Sequence, residues 1–394
     1  MLSPAVTAYS VVCATGYGQA VLLDALRERR ESLSVNDFTA EPLPTWIGRV
    51  PGLEDPRWQL PLALAPWDCR NNRLAWAGLN TDGFAAAVAA ARERHGAQRV
   101  ALVMGTSTAA IDATESVYRL QDAPGGIPPL LLQPELHTPH SLGAFVQRAL
   151  GLEGPAFTIA TACSSSAKVF CQAERLLRVG VCDAVVVGGV DTLCKSVLYG
   201  FASLELLSAE PCRPFAVDRR GLNIGEAAGF ALLERAGAPL KLMGYGESSD
   251  AHHMSAPHPE GLGARLAMEQ ALSRAGRAPE DIQYINLHGT ATPKNDAVEA
   301  ALVARMFPAA TRASSTKGWT GHTLGAAGCL EAIVTLLALR TGLVPGILNT
   351  TRLDEECGPQ IRIENSTADI RLAMSNSFGF GGSNCVLLFG REAA

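Results

Sequence analysis

The chain has 394 residues, 47 % of them hydrophobic and 18 % charged. That is enough apolar material for a large core, and it excludes a disordered chain. A net charge of −5, with the signs mixed and no long basic tract, argues against a nucleic-acid partner, while a local basic patch for an acidic carrier stays open.

Ten cysteines at positions 13, 69, 163, 171, 182, 194, 212, 329, 357 and 385 form no CxxC pair, and no signal peptide is visible. No stretch of about 18 apolar residues runs without a polar interruption. A cytoplasmic protein without a membrane span is expected, with no metal site.

Thr15-Gly16-Tyr17-Gly18 turns the chain, and Ala20 to Arg27 predicts a helix; without GxGxxG there is no dinucleotide loop. Residues 35–75, rich in Pro and Trp, read as surface loops. An alanine-rich helix from Gly83 to Arg94 leads to a strand from Val100 to Gly105. Residues 121–140 read as a second Pro-rich loop. There His137 and His140 have HxxH spacing, but Pro134 and Pro139 oppose a helix and no third ligand is near, so a loop or interface role is expected.

The stretch 155–190 organises the rest. Pro155 to Ala160 reads as a buried strand, small residues crowd Thr161 to Ser166, and Val169, Phe170, Ala173, Leu176 and Leu177 recur at helical spacing until Gly180. Cys163 is thereby expected at a helix mouth, where unpaired N–H groups favour a thiolate. The alternative is an inert buried cysteine. Asp183 to Val190 and Ala227 to Glu234 read as further strands, and the chain pauses at Ala236 to Pro239 before a strand from Leu240. This divides it into halves 1–237 and 238–394.

The second half repeats the alternation: a helix from Leu262 to Ala275, a strand from Ile282 to Leu287, a helix from Asn295 to Met306, and an apolar helix from Cys329 to Leu339. A duplicated α/β fold follows. Three loops there put polar groups at strand ends: His288-Gly289-Thr290-Ala291-Thr292; Lys317 to Gly328 around His322; and the glycine-rich turn Ser375 to Asn384. A thiol, two imidazoles and a turn of backbone donors suit acyl transfer.

TACSSS at 161–166, HGTATPKND at 288–296, KGWTGHTLGAAG at 317–328 and NSFGFGGSN at 376–384 resemble, in their order, the signature regions of the β-ketoacyl-[acyl carrier protein] synthases. CRPFAVDRRGLNIGEAAG at 212–229 and SSDAHHMSAPHPEG at 248–261 extend the likeness through most of the chain.

The resemblance implies the thiolase fold: two βαβαβαββ halves in five layers, αβαβα, usually as a dimer. It implies that Cys163 takes an acyl chain from the carrier's phosphopantetheine arm, the chain having no cofactor of its own. His288 and His322 would hydrogen-bond the malonyl thioester as it loses carbon dioxide. The N–H groups of Cys163 and Phe380 would form the oxyanion hole, with Gly379 and Phe380 in the gating turn. Lys317 and Glu331 would order the site, and Thr290 and Thr292 would hold the pantetheine arm. Asn286, Glu331 and Ser375 fall where some relatives bind a monovalent cation, or form a structural hydrogen-bond cluster. The loop with His252, His253 and His258 would lie near the substrate channel.

Ser164-Ser165-Ser166 is more like polyketide ketosynthases, Ala216 stands where an acidic residue is usual, and Ala227 replaces a frequent glycine. The HGTATPKND and GLNIGEAAG variants resemble ketosynthases of aryl-polyene pigment clusters, which implies unsaturated chains and either a homodimer or a partner like a chain-length factor. A non-condensing, pocket-shaping subunit and a coenzyme A-dependent thiolase, with Cys385 as its second cysteine, stay open. The region 105–125 is the expected acyl pocket.

Overall fold

A computed structural model describes residues 2–118, 133 and 135–392. Most of the second Pro-rich loop therefore lies outside the described residues.

The first half supplies the strands β1 (Ala5–Cys13), β2 (Val100–Gly105), β3 (Ala156–Ile159), β4 (Ala184–Asp191) and β5 (Ala227–Glu234). The second supplies β6 (Leu240–Ser249), β7 (Tyr284–Asn286), β8 (Arg312–Ser314), β9 (Leu372–Gly379) and β10 (Ser383–Arg391). Spatial order is β3-β2-β4-β5-β1 in one half and β8-β7-β9-β10-β6 in the other. Counted within each half, both read 3-2-4-5-1. The directions repeat too. The second strand is parallel to the third and fourth, and the fifth is antiparallel to the fourth and first. The halves meet edge to edge where Ala5 of β1 pairs with Lys241 of β6.

The helices are α1 (Gln19–Glu28), α2 (Arg70–Leu79), α3 (Phe84–His95), α4 (Ile111–Tyr118), α5 (Ser141–Leu150), α6 (Ser165–Arg178), α7 (Lys195–Ser203), α8 (Leu262–Ala275), α9 (Pro293–Met306) and α10 (Ala327–Thr341). The equivalent helices α6 and α10 lie between the halves, each packed on strands of both. They approach closely because small residues face each other: a Cβ on Gly328 would lie 2.5 Å from the Ala167 nitrogen. Outside them, α2, α3 and α5 cover one sheet half and α8 the other. This is the five-layer αβαβα arrangement the resemblance implied.

Three expectations need correction. Residues 35–75 are not loops throughout: Ser34–Val35 pairs with Trp46–Gly48, and α2 begins at Arg70. Two asparagines and a glycine in its RNNRLAWAGL sequence weaken the helical signal. β3 is not buried but an edge strand, with Phe157 43 % exposed. The glycine-rich turn is shorter than read, since Ser375 to Gly379 continues β9. Leu324–Thr341, interrupted by Glu331, Thr335 and Arg340, is long and apolar enough by composition to cross a membrane, but 89 % of it is buried inside the protein. It is the core helix α10, its hydrophobicity explained by packing on both halves.

Candidate active site

Cys163 sits in the turn between β3 and α6, 4 % exposed. Ala162 before it has φ +51°, a left-handed conformation uncommon for a residue with a Cβ. Serine hydroxyls hold that turn: Ser165 Oγ donates to the Ala162 carbonyl at 2.6 Å and Ser164 Oγ to the Thr161 carbonyl at 2.9 Å. Two of the three serines thus hold the helix mouth behind the thiol, while Ser166 Oγ accepts from the Cys329 N–H of α10 at 2.8 Å.

From the other half, His322 brings Nε2 to 2.9 Å from Cys163 Sγ. His288, two residues beyond the end of β7, stands edge-on to His322, ring centroids 5.4 Å apart and planes at 87°. Both histidines are held well below the ordinary imidazole value, first by burial and then by the charge of Lys317. Both rings are neutral at pH 7. Burial also pushes the Cys163 thiol up to about 11, opposed by the Phe380 N–H and by Lys317. The helix mouth alone therefore does not produce a resting thiolate, contrary to the expectation from sequence. The thiol instead has a neutral imidazole beside it that can take its proton as attack occurs.

Lys317, in the single helical turn Lys317–Thr320, is 1 % exposed and donates to both the His288 carbonyl and Glu331. Burial raises the Glu331 carboxyl to about 7 despite that cation. Among the described residues, Glu331 Oε2, Asn286 Oδ1 and Ser375 Oγ are buried without a hydrogen-bond partner, and Asn286 pairs with Ser375 in the β7–β9 register. Unpartnered buried oxygens of this kind fit an oxygen-ligated monovalent cation.

A cavity of about 310 Å³ opens on Cys163, His288 and His322. Thr290 and Thr292 line it, their hydroxyls 2.8 Å apart, as do Gly379 and Phe380. A Cβ on Gly379 would lie 2.9 Å from the Thr161 carbonyl oxygen, so only glycine lets the gating turn rest on the nucleophile turn. Phe380 stacks on Phe201 of α7, centroids 5.5 Å apart. With Leu204, Leu206 and Leu222, Phe201 makes an apolar wall that no periodicity in the sequence pointed to.

Several other expectations meet the geometry here. The 105–125 region contributes no cavity lining among the described residues. His253 lines the cavity, and the rings of His252 and His258 lie 5.2 Å apart between centroids, tilted at 59°. His137 and His140 each bond a threonine hydroxyl, Thr114 and Thr158 respectively. Cys385 lies in β10 with its Sγ 3.5 Å from Cys171, buried in the core and away from the cavity. Sequence reading also missed Glu299 on α9, which accepts from the His288 and Gly289 N–H groups at 2.9 and 2.8 Å. Its signal, an acid eleven residues after His288, is no more than helical spacing from Asp296.

Residues 72–238 match the family described as beta-ketoacyl synthase, N-terminal domain, and residues 241–351 its C-terminal domain. The chain is 40 % identical over 267 residues to the mitochondrial 3-oxoacyl-[acyl-carrier-protein] synthase of Arabidopsis thaliana, a match covering 62 % of this chain but only 58 % of that relative. It is 34 % identical over 316 residues to 3-oxoacyl-[acyl-carrier-protein] synthase 2 of Staphylococcus aureus (strain COL), covering 74 % and 75 % of the two. Among solved structures, a ketosynthase in complex with its chain length factor from Xenorhabdus doucetiae superposes with a TM-score of 0.90 at 37 % identity, covering 99 % of this chain and 98 % of that one. With these matches spanning both halves and every element of the site, the chain belongs to the beta-ketoacyl synthase family.

Proposed function

We propose that this chain catalyses decarboxylative Claisen condensation of an acyl group with malonyl-[acyl carrier protein], giving 3-oxoacyl-[acyl carrier protein]. The observation that carries this is the 2.9 Å contact of Cys163 Sγ with His322 Nε2, with His288 edge-on beside it in one cavity.

Acylation forms the Cys163 S–C bond and breaks the thioester to the carrier arm. The thiol proton passes through His322 to the departing pantetheine sulfur. The N–H groups of Cys163 and Phe380 receive the oxyanion, each such donor being worth roughly 3–4 kcal/mol in acyl transfer. A malonyl thioester then enters past Thr290 and Thr292. Neutral His288 and His322 each have an N–H for its carbonyl oxygen. The C–C bond to the carboxylate breaks, carbon dioxide leaves, and the electron pair becomes the enolate that attacks the acyl-Cys163 carbonyl. Cys163 departs as thiolate and recovers a proton through His322, one proton from solvent being consumed per cycle. Lys317 fixes His288 through its carbonyl and keeps Glu331 in place.

Mixing the protein with acyl-carrier and malonyl-carrier thioesters tests this. Product formation and an acyl adduct on Cys163 by intact mass are expected, and a Cys163→Ala protein with undiminished turnover would sink the reading. The same mass measurement addresses a pocket-shaping, non-condensing role, which predicts no adduct. A thiolase role has little support, since Cys385 is out of reach of the cavity.

Finer points follow from the same reading. The edge strand β3, open on one side with Phe157 exposed, supports a dimer formed there with a second copy or a chain-length-factor-like subunit; the mass of the purified assembly distinguishes them. The likeness to a ketosynthase solved with its chain length factor supports a partner of that kind, and the Ser164-Ser165-Ser166 and GLNIGEAAG likenesses support the polyene or polyketide branch over fatty-acid elongation. The unpartnered oxygens of Asn286, Glu331 and Ser375 support a bound monovalent cation, read out as a potassium-dependent melting temperature. Ten free cysteines, nine of them buried, support a reducing cytoplasm.

A further inference from the structure

Asp191, the last residue of β4, is fully buried and takes no part in the chemistry above. Among the described residues it has no ion-pair partner. Its oxygens instead gather five donors. Oδ1 accepts from Thr106 Oγ1, Thr108 N and Thr108 Oγ1, each at 2.7 Å, and from Ser107 N at 2.9 Å. Oδ2 accepts from Ala326 N at 3.1 Å and shares Ser107 N at 3.0 Å. Burying a carboxylate without a counterion costs several kcal/mol unless donors replace the lost water. A feature retained at that cost needs a reason beyond filling space.

Its donors lie on two paths to the reacting atoms. On one, Ser107 passes the connection on: its Oγ donates at 3.2 Å to the carbonyl of Ala162, the left-handed residue before Cys163. On the other, Ala326 lies four residues beyond His322, at the mouth of α10. The neighbouring Gly325 packs directly on the same group, since a Cβ there would lie 2.6 Å from Asp191 Oδ2 and 2.7 Å from Ser107 N. Cys163 and His322 come from opposite halves, 159 residues apart in sequence. Asp191 is bonded directly to the segment that follows His322 and, through Ser107, to the turn that precedes Cys163.

We infer that Asp191 is a positioning residue: its carboxylate ties the turn presenting Cys163 to the loop presenting His322 and so holds the thiol and imidazole at reacting distance. The inference rests on that pair being the reactive one. Small misplacements of a catalytic pair cost much in rate, up to roughly 100-fold for 1 Å.

Asp191→Asn tests it, because the side chain keeps its shape and one acceptor oxygen for the threonines but turns an NH2 toward the Ala326 and Ser107 N–H groups. The measurement is the rate at which iodoacetamide alkylates Cys163, read by peptide mass with Cys163→Ala as the blank, alongside kcat, KM and the melting temperature. Alkylation and kcat are expected to fall about 10-fold, with KM changed less than about 2-fold and the protein still folded. Alkylation unchanged or faster in a folded Asp191→Asn protein overturns the inference. Should that variant not fold, Ser107→Ala decides, since it removes only the hydroxyl on the Ala162 carbonyl: slower alkylation at an unchanged melting temperature supports the inference, and an unchanged rate overturns it. Alkylation needs no acyl or malonyl substrate, so the outcome stands apart from whether the protein condenses malonyl thioesters.

Discussion

The two halves share one strand order, yet their equivalent strand ends have diverged. After the third strand, each half gives one reacting group at the mouth of a central helix: Cys163 before α6 in the first and His322 before α10 in the second. After the second strand, the second half presents His288, while the first half presents Thr106, Ser107 and Thr108, whose donors turn inward to Asp191. After the fourth strand, the second half presents Gly379 and Phe380 to the cavity, while the first ends at buried Asp191 itself. Duplication supplied six strand ends around one centre. Three of the second half's ends open on the cavity, whereas two of the first half's are closed on each other and brace the third. An active site between two sheets needs this asymmetry, because a nucleophile must be held by a frame that the substrate does not displace.

The largest expected effect breaks the equivalence of the two helix mouths. Cys163→Ala removes the group that carries the acyl chain, and condensation is expected to fall by at least ~1,000-fold, with no acyl adduct by mass. The histidines then separate the two halves' tasks. Of the two histidines, His322 is the one whose ring nitrogen hydrogen-bonds Sγ among the described residues, so His322→Ala is expected to slow acylation itself by about 100-fold or more. His288→Ala is expected to leave the adduct forming while condensation falls by a similar factor, because His288 faces the incoming thioester. Rapid-quench mass measurement of the adduct, compared with steady-state turnover, separates the steps. Equal losses of acylation in both variants would show that the histidines work as one unit and that the assignment of steps is wrong.

Which parts of this were legible in the sequence follows from what local patterns record. Cys163 and His288 each follow an apolar run, and His322 precedes a run of small residues leading into an apolar helix, so turn, strand and helix mouth could be read from spacing. The duplication was visible as alternation, though the matching 3-2-4-5-1 order needs pairings that no single segment encodes. Burial was the weak point. An apolar run such as Pro155 to Ala160 does not say whether it has one neighbour or two, and β3 proved to be an edge. The helix mouth at Cys163 was read correctly, but the burial that pushes its thiol up to about 11 comes from distant loops. Asp191 lies one residue beyond the strand read from Asp183 to Val190, and its donors lie 83 to 135 residues away.

The smallest expected effect concerns pH and sets the second half's histidines against its acids. The folded values of His288 and His322 lie below the unfolded one, so their burial stabilises the protein less as pH falls below about 6.5. Glu299 and Glu331, raised to about 7 by burial from an ordinary 4.5, act oppositely. Each binds a proton in the folded state that the unfolded chain has released, so its contribution is present below 4.5 and is lost as pH rises through 7. Between pH 5 and 7 the two pairs offset one another. Glu299→Gln removes one of the acids without touching the imidazoles. Relative to the parent, its unfolding free energy is expected to rise with pH by about 1 kcal/mol per unit over that range. Its lost acceptor for the Gly289 N–H adds a constant penalty that does not alter the slope. Urea unfolding of both proteins at pH 5, 6 and 7 measures the difference. Parallel pH dependences would mean that Glu299 is ionised throughout, and that the N–H groups of His288 and Gly289 stabilise its charge more strongly than burial opposes it.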